Sequence, residues 1–130
     1  MVTIGRSLDL KSVQAVARLE HAVAIDPTTL AAMATTRARL EADLAEGHTI
    51  YGVNTGFGAL SESKIPADQS GLLQLNLLRS HAMGVGTPLP TDVVRALLLL
   101  RAHTLALGAS GVRPVIVEGL VALLDRKSVV

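Results

Sequence analysis

Glycine and proline punctuate this chain at intervals that leave room for helices and for little else. The marks are Asp26-Pro27, Gly47, Pro66, the stretch from Gly84 to Pro90, the stretch from Gly108 to Gly111, and Pro114. Proline suits a first helical turn because the amide it lacks would be unpaired there. Glycine suits the position just past a helix end, where the backbone turns left-handed. Between the marks the apolar residues are Leu, Ala, Val and Ile, for the chain has one Tyr, one Phe and no Trp. A core of aliphatic side chains fits interlocking helices, so the fold class predicted is mainly α.

Individual elements follow from the same signals. Val2 to Ile4 and Ala22 to Ile25 are short apolar patches predicted to form a small strand pair flanking a helix from about Asp9 to Leu19. Asp26 can accept from the amides of a first turn opened by Pro27, and that helix should run to Glu46 and stop at Gly47. Tyr51 to Lys64 reads YGVNTGFGALSESK, with three glycines in seven residues and neither a helical nor a strand period. This segment is a loop. Pro66 reopens a helix carrying LLQLNLLRSHAM, ended by Gly84, Gly86, Pro88 and Pro90. Thr91 or Asp92 is predicted to cap the next helix, to Leu107, and Pro114 to start the last, through about Asp125.

Composition excludes several function classes. Apolar residues make up 49% of the chain and charged ones 18%, a more apolar balance than a small free-standing globule needs, which points to burial against other chains or further sequence. Twelve basic and eleven acidic residues give a net charge of +1. No stretch interleaves Lys and Arg with aromatics, so nucleic acid is discounted as a partner. With no cysteine there is neither a disulfide framework nor a thiolate metal site, which fits a cytoplasmic protein. The opening residues lack the apolar core of a signal peptide. Val93 to Leu107 is strongly apolar but carries Arg95, Arg101 and His103 and falls short of the roughly twenty residues a membrane span needs. It reads as a buried helix. No two histidines have zinc-site spacing and no carboxylate pair completes one, so no metal is expected. His21, His48 and His103 read as ordinary core or cap residues.

The glycine-rich loop is the candidate site. Gly52, Gly56 and Gly58 open backbone angles closed to other residues and let a ligand approach the main chain. Asn54 and Thr55 can tie the turn by side-chain bonds to backbone. Tyr51 is a possible proton donor or acceptor, but a phenol titrating near about pH 10 serves as a base at neutral pH only where its surroundings favour phenolate, through helix N-termini or cations. The alternative is a Tyr packed under the loop with its hydroxyl bonded to backbone.

YGVNTGFG, Tyr51 to Gly58, resembles the Tyr-bearing loop of the histidine/aromatic amino-acid ammonia-lyases. LLQLNLLRSHAMGVGTPLP, from Leu72 to Pro90, and GASGVRPVIVEGLVALL, from Gly108 to Leu124, resemble further segments of the same family in the same order. The resemblance covers Val2 to about Arg126. It implies the N-terminal helical domain of the ammonia-lyase (fumarase/aspartase-like) fold, with residues 1–130 an N-terminal domain fragment and the central helical bundle absent. By the same resemblance Tyr51 is the base that takes a proton from the substrate β-carbon, and Gly58 contacts the substrate. Ser80-His81 matches the pair that faces the substrate side chain. Histidine-specific members share this Ser-His arrangement, tyrosine-specific ones place a His at its first position, and phenylalanine-specific ones an apolar or aromatic residue. The implied activity is a carbon-nitrogen lyase of histidine catabolism that releases ammonia from L-histidine to give urocanate, with His81 reading the imidazole. The implied assembly is a cytoplasmic homotetramer with sites built from several subunits. Tyrosine or phenylalanine ammonia-lyase, a 2,3-aminomutase of the family, and a non-catalytic helical fragment acting only through association stand as alternatives.

The family's cofactor is a methylidene-imidazolone made from an internal Ala-Ser-Gly, so no external cofactor is implied. Ala109-Ser110-Gly111 spells the motif. In the family, however, the reactive tripeptide precedes Asp-Leu-Ala-Pro, whereas here Val112-Arg113-Pro114 and a helix follow. The match is to a Gly-x-Ser-Gly-Val-Arg segment joining two helices, and the electrophile is expected beyond Val130. With the apolar Val129-Val130 at its tip, the chain reads as a fragment that is inactive alone.

Overall fold

A computed structural model describes residues 1–125. The chain divides into two compact units: Met1–Leu40 together with the chain from Pro88 onward, and Glu41–Thr87. The expectation about Val129-Val130 lies outside the described residues.

The first unit opens with β1 (Val2–Ile4), α1 (Leu10–Leu19) and β2 (Val23–Ile25). The strands pair in parallel, Val2 opposite Val23 and Ile4 opposite Ile25. A parallel pair cannot be joined by a tight turn, and α1 is the crossover. Asp9 starts α1 by accepting from the Ser12 amide at 2.8 Å, and Glu20, in the left-handed region at φ 52°, ends it.

α2 (Pro27–Ala45) starts as its sequence predicts. Asp26 Oδ1 accepts from the Thr28 amide at 2.9 Å and the Thr28 hydroxyl at 2.7 Å, while Arg6 Nε donates to Oδ2 at 2.5 Å. The Thr28 bonds foremost, with Arg6 behind them, lower the Asp26 carboxyl to about 2. Gly5, at φ +97°, lies so close to α2 that a Cβ there would stand 2.1 Å from the Thr29 hydroxyl oxygen.

α4 (Thr91–Ala106) and α5 (Pro114–Leu124) complete this unit, α4 packing on both α1 and α5. Buried Leu99, Ala102 and Ala106 of α4 meet Val16 of α1, Ile4 and Val23 of the strands, Met33 of α2, and Val117, Val121 and Leu124 of α5 in one apolar cluster. Arg95 is buried with them. Its Nε donates to the Val16 carbonyl at 2.9 Å and its Nη1 to the Leu124 carbonyl at 2.6 Å. No helix among the described residues is long and apolar enough to cross a membrane.

Some boundaries differ from expectation. Neither Thr91 nor Asp92 caps α4: the cap position is Pro90, without a side-chain bond, and both residues lie inside the first turn. Asp92 instead pairs with Arg18 of α1 at 3.4 Å. Pro66 opens only a 3-10 turn (Ala67–Gln69), and α3 (Ser70–His81) ends before Met83. Within the loop, Thr55 and Lys64 form an isolated antiparallel bridge, too short to leave a strand period in the sequence.

Replacing Arg95 with Met keeps the apolar stem and deletes two charged hydrogen bonds, so urea unfolding should show a loss of about 2–3 kcal/mol with an unchanged denaturant slope. A loss below about 0.5 kcal/mol, the range of an ordinary surface substitution, would remove the brace. Asp26 gives a pH signature. Its folded value of about 2 lies below the ordinary 3.8, so its contribution is complete above that ordinary value and is lost as the pH falls through the folded one. The gap in melting temperature between the native chain and Asp26→Asn should therefore close as pH is lowered from about 5 to about 2; a constant gap would contradict it.

Candidate functional site

Tyr51, Gly58, Ser80 and His81 all belong to the second unit. This unit buries little: among its residues only Thr55 and Gly56 are buried. Polar bonds hold it instead. Asn54 Oδ1 accepts from the Ile50 amide at 2.8 Å, and its Nδ2 donates to the His48 carbonyl at 2.8 Å. Thr55 accepts from the Gly52 amide at 3.2 Å and donates to the Gly56 carbonyl at 2.9 Å. Both residues tie the turn as their sequence suggested. The bridge adds Gly56 N to Ser63 O at 3.0 Å and Ile65 N to Asn54 O at 2.9 Å. Lys64 Nζ closes the base on the Gly47 carbonyl at 2.8 Å.

The glycines serve different purposes. Gly52 and Gly58 have positive φ, +76° and +55°, and Gly58 faces open space where a side chain would be. Gly56 is required by proximity: a Cβ there would lie 2.6 Å from the Leu60 carbonyl oxygen.

Tyr51 is 66% exposed, and its ring meets Phe57 edge-on, centroids 6.4 Å apart at 71°. It is not packed under the loop. Phe57 in turn lines an open, mostly apolar groove of about 530 Å³ with Leu77, Leu78, His81 and Ala82. One aromatic side chain thus links the Tyr51 loop to the end of α3. Phe57, the chain's only phenylalanine, sits among the loop glycines, and its link to α3 is visible only in the folded loop.

Ser80 and His81 are exposed on the last turn of α3. Ser80 Oγ donates to the Leu77 carbonyl at 3.0 Å and lies 2.9 Å from His81 Nδ1, which is itself 3.0 Å from the same carbonyl. Leu72, Leu75 and Leu78, spaced along one face of α3, are exposed as well.

Two other features bear on earlier expectations. Asp43, Glu46 and His48 place ligand-type atoms within 4.8 Å of one another, a grouping that counting histidine pairs overlooked. His48 Nδ1 lies 3.8 Å from Glu46 and 4.0 Å from Asp43 in a mostly exposed setting that reads as solvent-screened ion pairing. Ala109-Ser110-Gly111 forms the turn between α4 and α5, with Gly108 at φ +81° and Gly111 at φ +63°. Leu40 closes over Gly111, where a Cβ would meet its Cδ2 at 2.9 Å, and Arg37 Nη1 donates to the Gly111 carbonyl at 3.4 Å.

The family model for aromatic amino acid lyases matches residues 8–129. The histidine ammonia-lyase of Geobacillus thermodenitrificans is 46% identical over 125 residues, 96% of this chain and 25% of that protein. Among solved structures, tyrosine aminomutase from Streptomyces globisporus superposes with a TM-score of 0.89 at 34% identity, covering 95% of this chain and 24% of that one. Histidine ammonia-lyase from Trypanosoma cruzi gives 0.80 at 33%, covering 96% and 24%. The chain spans about a quarter of the length of the curated relatives it matches.

Asn54→Ala deletes two bonds that hold the loop, each worth about 1 kcal/mol. Hydrogen exchange at the Ile50 amide should accelerate roughly five-fold or more. Unchanged protection would show that the bridge alone maintains the turn.

Proposed function

The chain belongs to the aromatic amino acid lyase family, and on that premise we propose that it supplies one quarter of a histidine ammonia-lyase, a carbon-nitrogen lyase converting L-histidine to urocanate and ammonia. The observation that carries this reading is the continuity from Tyr51 through Phe57 to the groove lined by His81, in a chain 46% identical to a histidine ammonia-lyase.

In this reading Tyr51 takes the proton from the substrate β-carbon, and its exposed ring leaves the hydroxyl accessible to a ligand. Gly58 offers backbone next to open space, so a substrate could approach the main chain there. His81 meets the substrate imidazole. The groups that favour phenolate at Tyr51 would come from outside the described residues, since among these no ion pair or hydrogen bond engages its hydroxyl.

Such a reaction needs an electrophile to activate the amine as a leaving group. Ala109-Ser110-Gly111 does not fit that role: its glycine is closed over by Leu40, its carbonyl is held by Arg37, and Pro114 follows as the first residue of α5. We place the methylidene-imidazolone on a segment outside these residues. The exposed leucines of α3 support assembly with the remaining three quarters of the protein and with further copies, as a homotetramer. A 2,3-aminomutase is the second reading, favoured by the superposition on the Streptomyces globisporus tyrosine aminomutase.

A chimera tests both. Residues 8–129 would replace the matching quarter of the Geobacillus thermodenitrificans enzyme, with folding checked by circular dichroism and gel filtration. The expected product from L-histidine is urocanate, and Tyr51→Phe should lower kcat by about 10²-fold or more. Activity surviving that substitution removes Tyr51 from the mechanism. Preference for L-tyrosine would sink the histidine reading, and a β-amino acid product would establish the mutase.

A further inference from the structure

His81 turns its ring back on its own helix. Nδ1 lies 3.0 Å from the Leu77 carbonyl oxygen and 2.9 Å from Ser80 Oγ, while Ser80 Oγ lies 3.0 Å from that same carbonyl. The carbonyl oxygen can only accept. If Nδ1 were bare, its lone pair would face those of the Leu77 oxygen at hydrogen-bonding distance, which is repulsive. With a proton on Nδ1 the same contact becomes a hydrogen bond. Ser80 then donates its single proton to the Leu77 carbonyl and presents its lone pairs to Nδ1–H. The reverse assignment, Ser80 donating to a bare Nδ1, satisfies one of the three contacts and leaves both contacts to the Leu77 carbonyl opposed.

We infer that Ser80 is a positioning residue: together with the Leu77 carbonyl it fixes neutral His81 in the Nδ1–H tautomer, leaving Nε2 as an acceptor for a donor on the substrate side chain. The tautomer rests on these three contacts and the acceptor-only carbonyl, taken for the neutral ring, and its use in recognition rests on the reading of His81 given above. A histidine side chain free in water favours the opposite tautomer, with its proton on Nε2. Selection of Nδ1–H is therefore imposed by the helix end.

The consequence is a specificity rule. Among the described residues, His81 is the only ionisable side chain lining a groove otherwise made by Phe57, Leu77, Leu78 and Ala82. An acceptor on it pairs with a ring N–H or a phenolic O–H. A plain phenyl ring would leave it desolvated and unpaired, a mismatch that polar sites reject strongly. The class of substrate selected is an aromatic amino acid whose ring carries a hydrogen-bond donor, which includes L-histidine and excludes L-phenylalanine.

The tautomer is read directly by long-range proton–nitrogen NMR correlations on the nitrogen-15-labelled chain, well above the ordinary histidine pKa of about 6.5. His81 should carry its proton on Nδ1. Ser80→Ala should move it towards Nε2–H, and Ser80→Thr, which keeps the hydroxyl, should restore it. An Nε2–H resonance pattern in the native chain, or no response to Ser80→Ala, overturns the inference. In the chimera, Ser80→Ala should raise KM for L-histidine about ten-fold with kcat changed less, and Ser80→Thr should recover most of it. If the tautomer moves while KM does not, the tautomer lock stands, and both the specificity rule and the placement of His81 against the substrate fall.

Discussion

Arg95 occupies a position that periodicity assigns to the core, and the arrangement of α1, α4 and α5 depends on how its charge is met. Residues 95, 99, 102 and 106 fall on one stripe of α4, and all four are buried. Burying a guanidinium costs several kcal/mol unless its donors are bonded. Here the bonds go to carbonyls. Val16 lies among the last four residues of α1, and Leu124 is the last residue of α5, so both oxygens belong to helix ends that lack intrahelical partners and carry the negative end of the dipole. One side chain therefore gathers two C-termini onto the early turns of α4. Leu99 and Ala102 can then meet Val16, Val117 and Val121 in a shared core.

The second unit is stabilised differently. Its loop is closed by Asn54, Thr55 and Lys64 through side-chain bonds to backbone, and α3 buries no residue among those described. Bonds of this kind are individually worth about 1 kcal/mol and do not substitute for apolar burial. A unit so held belongs to the low-stability part of a protein, from which binding loops are commonly drawn. The division of labour is physical: the first unit has the core, and the second holds the residues proposed for chemistry.

Helix positions were legible in the sequence because their signals are local. Asp26-Pro27 acts through a turn's worth of backbone, and Gly47 and Gly108 end helices with positive φ as glycine allows. The Tyr51 loop and the Ser80-His81 pair were legible for a different reason, as words in a family's order. Long-range partnership was not legible. The brace of Arg95 joins residues 79 and 29 positions away, and an arginine in a leucine run tells a reader only that the run is no membrane span. Asp92 looked like a cap because capping is the local use of an aspartate at that place, and its actual partner, Arg18, is 74 positions distant. Gly56 was grouped with Gly52 and Gly58 as a source of conformational freedom. Its constraint is the nearby Leu60 backbone, which only the folded loop reveals.

The same contrast governs Ala109-Ser110-Gly111, where a motif and its surroundings disagree. Three residues carry too little information to specify a reactive loop, while a helix stop before them and a helix-opening proline after them specify a turn. The packing of Leu40 over Gly111 and the bond from Arg37 agree with the turn. If the electrophile lies elsewhere, the base and the side-chain reader proposed here form half of a site, and the groove beside Phe57 is open for that reason. An open groove cannot exclude water, and a hydrogen bond accepted by Nε2 of His81 would discriminate well only once water is excluded. On the proposed function, recognition at His81 and proton removal at Tyr51 would therefore depend on the same event, the covering of α3 and its exposed leucines.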